Sequence, residues 1–292
     1  MAVQQGANLK YAFFEGKFVN IEDAKVSVMT NALQYGTGVF GGIRGYYNAE
    51  QDFVSIFRLS DHYKRFLSSM KVLGVDFGYT QEQLEEITVE LLKKNKPKTD
   101  VYFRPFAYAG NLELSPNLYQ TKFDFALYMI ELGEYLPLDH GVKVKVSSYR
   151  RISDNAIPSR AKVSGGYINS ALAKKEALED GYEEAILLTE SGSVAEGSSM
   201  NVFMVRNGVV VTPSKTEDVL EGITRRSVME MAKDMGYEVE ERVIDRTEFY
   251  VADEAFFSGT GAQVAWIASV DNRVIGDGKI GKITKQLQDK FF

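Results

Sequence analysis

The chain has 292 residues, 45% hydrophobic and 25% charged, the make-up of a globular protein long enough for two domains. Its 34 basic and 40 acidic residues leave a net charge of −6, which argues against the basic face that a nucleic-acid partner needs. There is no cysteine, so disulfides, thiolate metal sites and cysteine nucleophiles are excluded. Met1 to Lys10 is polar and lacks the apolar core of a signal peptide, and no apolar run approaches membrane-spanning length. The expectation is a soluble, cytoplasmic protein.

Along the chain the pattern is mixed α and β. YAFFEGKFVN (Tyr11–Asn20) reads as a hairpin turning at Glu15-Gly16. Leu59–Gly74 reads as a helix capped by Ser60, with Phe66, Leu67, Met70 and Leu73 as its stripe and Gly74 as its stop. Gln81–Lys94 is a second helix, and Val101–Ala109 and Phe123–Leu132 are aromatic-rich strands. GEYLPLDHG (Gly133–Gly141), with its Pro and flanking glycines, reads as a linker. The expected division is therefore a small α/β domain over 1–132, a linker over 133–141 and a larger domain over 142–292.

Beyond the linker come a strand (Val142–Ser148), a loop with Pro158, and a helix from about Val163 to Gly181. Strands follow at Glu184–Thr189, Asn201–Val205 and Val209–Thr212, the last two joined by an Asn207-Gly208 turn. A helix from about Thr224 to Met235 and a final one over Ile280–Phe291 complete the chain.

Three superficial features carry no chemistry. GTGVFG (Gly36–Gly41) matches G-x-G-x-x-G but lacks the strand before and the helix after it that a dinucleotide site requires. It reads instead as a glycine-rich turn where backbone packs closely. Ser193 and Ser198 do not satisfy G-x-S-x-G. His62 and His140 lack H-x-x-x-H spacing, so both read as surface or capping histidines and no metal is expected.

Four segments carry functional groups. In SRAKVSGGYIN (Ser159–Asn169), Lys162 stands before a helix, beside small residues that let a bulky ligand approach; a desolvated lysine there can attack a carbonyl. In SGSVAEGSSMNVF (Ser191–Phe203), Glu196 follows a turn and precedes a strand, where a carboxylate could keep a pyridinium nitrogen protonated. VLEGITRR (Val219–Arg226) opens a helix whose first amides suit a phosphate. In FSGTGAQ (Phe257–Gln263), Thr260 sits in a turn able to offer amides to an anion.

In this order the segments resemble the fold-type IV enzymes that use pyridoxal 5'-phosphate, and branched-chain amino acid aminotransferases most of all. YGTGVFGGIRGY, AKVSGGYINSALAKKEA, AEGSSMNVF, GITRRSVMEMA and ADEAFFSGTGAQ carry the likeness over nearly the whole chain. It implies a two-domain α+β (mixed α/β) fold, with Lys162 as the Schiff-base lysine in the larger domain. By the same resemblance Glu196 is the partner of the cofactor's pyridine nitrogen and Tyr167 lies near its phenolic oxygen. Arg65, Leu220, Ile223, Thr224 and Thr260 are implied as phosphate contacts. Tyr35, Phe40, Tyr102, Arg104 and Tyr135 match pocket residues, and Gly261-Ala262 match the turn that takes the substrate's α-carboxylate. The implied reaction passes an amino group between branched-chain L-amino acids and 2-oxoglutarate with ping-pong kinetics, in a homodimer or larger homo-oligomer.

The chain departs from the family pattern near the substrate. Gly41 replaces a usual Glu, which removes a carboxylate beside the pocket; Gly110–Pro116 is short, and Leu132 stands where an aromatic can. These departures keep open a transaminase for (R)-amines or D-amino acids. A lyase using the same cofactor and a non-catalytic binding protein also stay open.

Overall fold

The computed structural model describes residues 5–133, 136 and 140–292. Contacts divide the chain into two compact units, one of Gln4–Gly133 with Ala161–Gly166, the other of Glu134–Arg160 with Tyr167–Phe292. Residues 134, 135 and 137–139 of the expected linker lie outside the described residues.

The first unit is built on one antiparallel sheet. Its elements in chain order are β1 (Gln5–Asn8), β2 (Tyr11–Phe14), β3 (Lys17–Asn20), α1 (Asn31–Tyr35), β4 (Gly38–Phe40), β5 (Ile43–Asn48), β6 (Phe53–Ile56), α2 (Leu59–Leu73), α3 (Gln81–Asn95), β7 (Val101–Ala109) and β8 (Phe123–Leu132). The strand order is β3-β2-β8-β7-β5-β6, with β1 on β8 and β4 on β7. Alternation along β7 and β8 decides which face is buried. Phe103, Phe125, Leu127 and Met129 pack against Phe66 and Met70 of α2 and Leu84 and Leu91 of α3. Tyr102, Arg104 and Phe106 alternate with the buried residues of β7 and are half-buried on the opposite face.

Helix α3 starts at a capping box: Thr80 Oγ1 accepts from the Gln83 N–H and Gln83 Oε1 from the Thr80 N–H. Helix α2 begins one residue before the expected cap, so Ser60 is inside it and Arg58 (φ 49°) precedes it. His62, expected as a surface or capping histidine, is buried on α2.

The second unit holds β9 (Val142–Arg150), α4 (Tyr167–Glu179), β10 (Glu184–Leu188), β11 (Val194–Gly197), β12 (Asn201–Arg206), β13 (Val209–Pro213), α5 (Ile223–Asp234), β14 (Val239–Arg242), β15 (Glu254–Gly259), β16 (Gln263–Val270), β17 (Arg273–Val274) and α6 (Lys282–Phe291). The sheet runs β11-β10-β9-β16-β15-β12-β13-β14, with β17 on β16. Strand β9 is parallel to both its neighbours, β10 and β16. A parallel pair needs a long crossover, and the one from β9 to β10 contains α4. Ala173 and Ala177 of α4 pack on Ala185 and Leu187 of β10. Helices α5 and α6 place Val228, Ala232, Ile283 and Leu287 against Phe203, Phe256 and Val264.

The helix expected from Val163 starts at Tyr167 instead, because Ser164–Gly166 forms a separate 3₁₀ turn. Glu196 precedes β12 as expected, but lies within β11, a strand not expected from the sequence. Ala161–Gly166, which includes Lys162, clusters by contacts with the first unit, whereas the sequence reading put Lys162 in the larger domain.

Glu176 fixes α4 to β9. Its Oε2 accepts from Ser147 Oγ at 2.5 Å and from the Ser148 N–H at 3.0 Å, and Lys145 Nζ stands 3.4 Å from Oε1. Burial opposes the charge, but these donors outweigh it and hold the carboxyl at about 2, against a usual 4.5. A depressed carboxyl pKa contributes stability above the unfolded value, and that contribution is lost as pH falls through the folded value. Glu176→Gln is therefore expected to unfold more easily at pH 7, with the gap to the parent closing between about pH 4.5 and pH 2. Denaturant midpoints across that range check this; a gap independent of pH would contradict it.

Candidate active site

In the first unit, Lys162 is fixed by its backbone on both sides. Its carbonyl accepts from the Phe40 N–H at 3.0 Å, and its N–H donates to Ser69 Oγ at 3.3 Å. Ser69 Oγ donates in turn to the Arg65 carbonyl at 3.0 Å, so α2 ties Arg65 to the lysine through one hydroxyl. A bridge between Val39 and Val163 continues the pairing.

Beyond the lysine the chain crosses Gly36 at close range. The Gly165 N–H and Ser164 Oγ both donate to the Gly36 carbonyl, at 3.0 and 2.8 Å. Gly36 has φ +68°, and a Cβ there would lie 2.7 Å from Gly165 Cα. Backbone close approach thus accounts for Gly36, while Gly38–Phe40 of the expected GTGVFG turn form strand β4 instead. Gly36→Ala is expected to cost more than the roughly 1–2 kcal/mol of a left-handed alanine alone, and to slow turnover by displacing the Lys162 segment. Gly16→Ala, with φ +85° and nothing within 4 Å, is the control. Equal losses of thermal stability in the two variants, with activity intact, would contradict the expectation.

The side chains beside Lys162 are aromatic and cationic. Lys162 Nζ is 4.9 Å from the centre of the Phe40 ring, and the Arg104 guanidinium is 4.7 Å from the same centre. Arg104 also lies over the Tyr102 ring at 5.3 Å and donates to the Tyr102 hydroxyl at 3.4 Å. Its Nε is buried with no hydrogen-bond partner among the described residues, a donor suited to an anionic group. Tyr35, at the end of α1, is exposed, and Tyr135 lies outside the described residues. Gly41 does not leave a gap on this face, because a Cβ there would point at Pro105 Cγ (2.6 Å) and Phe66 on the core side.

In the second unit, Glu196 is buried and accepts from donors of three other residues. Arg151 Nη2 is 3.1 Å from Oε1; Asn201 Nδ2 and the Leu220 N–H reach Oε2 at 3.0 and 3.1 Å. The tight turn from Gly197 to Met200 explains why Asn201, five positions on, comes back to the carboxylate. Accepting from several donors at once is what an ionised carboxylate does.

Leu220 leads into α5, a helix of 12 residues whose N-cap, Gly222, supplies no side-chain hydrogen bond. Its first amides therefore lack a side-chain partner from the cap, and Ile223 and Thr224 are both buried. Only glycine fits at 222, since a Cβ would fall 2.1 Å from Asn201 Oδ1. Thr260–Ala262 forms a three-residue turn between β15 and β16, closed by Gln263 at φ 54°. Tyr167 is the half-buried first residue of α4. Among the described residues no group of His, Cys, Asp and Glu is arranged to hold a metal ion.

The model of the amino-transferase class IV family matches residues 38–270. The chain belongs to the class IV amino-transferases. The probable branched-chain-amino-acid aminotransferase of Aquifex aeolicus is 50% identical over 286 residues, 98% of this chain and 92% of that one. A crystal structure of the branched-chain aminotransferase of Thermoproteus uzoniensis with norvaline superposes with a TM-score of 0.93 at 41% identity, covering 98% of this chain and 94% of that one. That of the branched-chain amino acid aminotransferase of Thermobaculum terrenum, in its PLP-bound holo-form, gives 0.92 at 38% identity, covering 97% and 93%. The fold is accordingly that of the fold-type IV enzymes.

Sequence reasoning about this class IV amino-transferase missed Ser69, Arg151 and Asn201, and singled out Ser164 only as a small neighbour of Lys162, not as a hydrogen-bond donor to Gly36. Asn201 stands in the AEGSSMNVF segment already singled out, so its proximity to Glu196 was open to inference once the turn is recognised. The other three act through contacts distant in sequence.

Proposed function

We propose that the chain is a branched-chain-amino-acid aminotransferase that uses pyridoxal 5'-phosphate and passes amino groups to and from 2-oxoglutarate. The observation that carries this reading is the donor set on Glu196 beside an α5 start that lacks a side-chain cap: one buried carboxylate and one set of helix amides suit a pyridinium and a phosphate. When bound, the cofactor supplies an electron sink for the pair left when the substrate loses its Cα proton.

The chain's own groups divide the work. The Lys162 amine would hold the cofactor covalently and is the chain's own base for the substrate's Cα proton. Glu196 would accept from the ring nitrogen and keep it protonated, and the Tyr167 hydroxyl would serve the phenolic oxygen. Arg65, Leu220, Ile223, Thr224 and Thr260 take the phosphate. Gly261 and Ala262 offer amides to the α-carboxylate. Arg104 pairs with the distal carboxylate of glutamate. Leucine, isoleucine and valine use Phe40, Tyr35, Tyr102 and Tyr135 as an apolar wall.

The reading includes a cytoplasmic location; no helix among the described residues is long and apolar enough to cross a membrane. It also includes a homodimer. Val28, Met29 and Leu33 are exposed, as are Leu112, Leu114 and Tyr119. Asn31 binds these two segments together through Nδ2 to the Glu113 and Ser115 carbonyls, and a second copy would have the exposed apolar side chains of both to cover.

Single-turnover half-reactions test the substrate class. L-leucine and L-glutamate are expected to convert the bound cofactor, and D-alanine and (R)-1-phenylethylamine to do so far more slowly. Conversion by only the last two would overturn the branched-chain reading in favour of an amine or D-amino acid transaminase.

A further inference from the structure

We propose that Arg151 and Asn201 are positioning residues that clamp Glu196 to the 218–222 loop, so that one network orients both the partner of the ring nitrogen and the amides opening α5. The proposal rests on the cofactor roles given above for Glu196 and that helix start.

The backbone of Arg151 is anchored just past β9, its N–H donating to the Leu188 carbonyl at 2.8 Å. From there the guanidinium forks. Nη2 lies 3.1 Å from Glu196 Oε1, while Nε donates to the Asp218 carbonyl at 3.2 Å. Asn201 forks as well: Nδ2 donates to Glu196 Oε2 at 3.0 Å and to the Leu220 carbonyl at 2.9 Å. The Leu220 N–H closes the ring on Glu196 Oε2. Asp218 is held from its other side, where Oδ1 accepts from the Asp154 N–H at 3.0 Å.

A buried carboxylate needs donors, but it does not need donors that also grip the loop leading into α5. That double use is what separates a clamp from simple charge compensation. Among the charged groups of these segments, Arg151 reaches Glu196, Asp218 accepts from the Asp154 N–H, and Glu221 pairs with Arg160 at 3.4 Å and with Lys215 at 3.7 Å, while the neighbouring strands β10 and β12 carry Glu184 and Arg206. Of these, Arg151 is the cation that contacts Glu196 directly. A lysine at 151 would keep the charge but lose the planar fork that reaches two acceptors at once.

The test uses the holoenzymes of the parent, Arg151→Gln, Arg151→Lys and Asn201→Ala. Three quantities are read: the pH midpoint of the bound cofactor's visible band, the rate of cofactor loss on dilution, and the limiting rate and saturation constant of the L-leucine half-reaction. Arg151→Gln is expected to raise the midpoint, since loss of a nearby cation favours protonated forms. Its limiting rate should fall about tenfold or more with little change in saturation constant. Arg151→Lys should restore the midpoint but still lose cofactor faster than the parent, and Asn201→Ala should share that faster loss.

Parent-like midpoint, retention and limiting rate in Arg151→Gln would overturn the proposal, whatever happened to its melting temperature. If Arg151→Gln does not fold, Arg151→Lys decides: parent-like cofactor retention in it overturns the clamp, and faster loss at an unchanged midpoint supports it. A parent protein that showed no visible band would instead overturn the cofactor reading itself.

Discussion

Lys162→Ala is expected to lose transamination by about four orders of magnitude or more, while remaining folded. The backbone contacts that place this residue are made by its N–H and carbonyl, to Ser69 Oγ and from the Phe40 N–H, and neither needs the side chain. What the substitution removes is the amine itself, 4.9 Å from the Phe40 ring centre, and with it both the covalent hold and the base for the Cα proton. Two signatures distinguish this from general damage. The bound cofactor no longer forms a covalent bond to the chain, and a small primary amine added to the solution should return part of the rate. Retention of near-parental turnover would assign the base elsewhere.

Glu196→Gln is expected to lower the half-reaction rate by about 10²–10³-fold while leaving the cofactor attached at Lys162. The amide is nearly isosteric and can still accept from Asn201 and Leu220, but it carries no charge to keep a ring nitrogen protonated. It also leaves Arg151 without its carboxylate, 3.1 Å away, so stability should fall by about 1–3 kcal/mol. Rapid mixing with L-leucine separates the two effects, since the loss of rate should persist well below the melting temperature. A half-reaction within a small factor of the parent would show that the ring nitrogen does not depend on Glu196.

Much of the scaffold was legible because its residues follow simple periodicities. Strands β7 and β8 alternate buried and half-buried positions over most of their length, and Gly16, Asn207 and Gly208 take the positive φ values that glycine and asparagine accept in such turns. Strand β11 was not legible, because VAEG is four residues long, buried throughout and without alternation. The late start of α4 has a tertiary cause: Gly165 is held against Gly36 and Gly166 is a poor helix former, so the helix waits for Tyr167.

For the candidate site, the segments were readable and the supports were not. The order of Lys162, Glu196, the α5 start and the Thr260 turn is a property of the sequence. That Lys162 packs with the first unit follows from its pairing with Phe40 and Ser69, residues 122 and 93 positions away, which no local pattern encodes. Gly41 illustrates the converse. Its missing side chain looked like a change to the substrate face, yet its Cβ direction is toward Pro105 and Phe66 in the core.

The most direct measurement is to purify the protein with its cofactor, reduce it with borohydride, digest it and locate the modified residue by mass. The account predicts a visible absorbance band that disappears on reduction and a phosphopyridoxyl mass on the peptide containing Lys162. A colourless protein that takes up no pyridoxal phosphate, or a label carried by any other lysine, would contradict it.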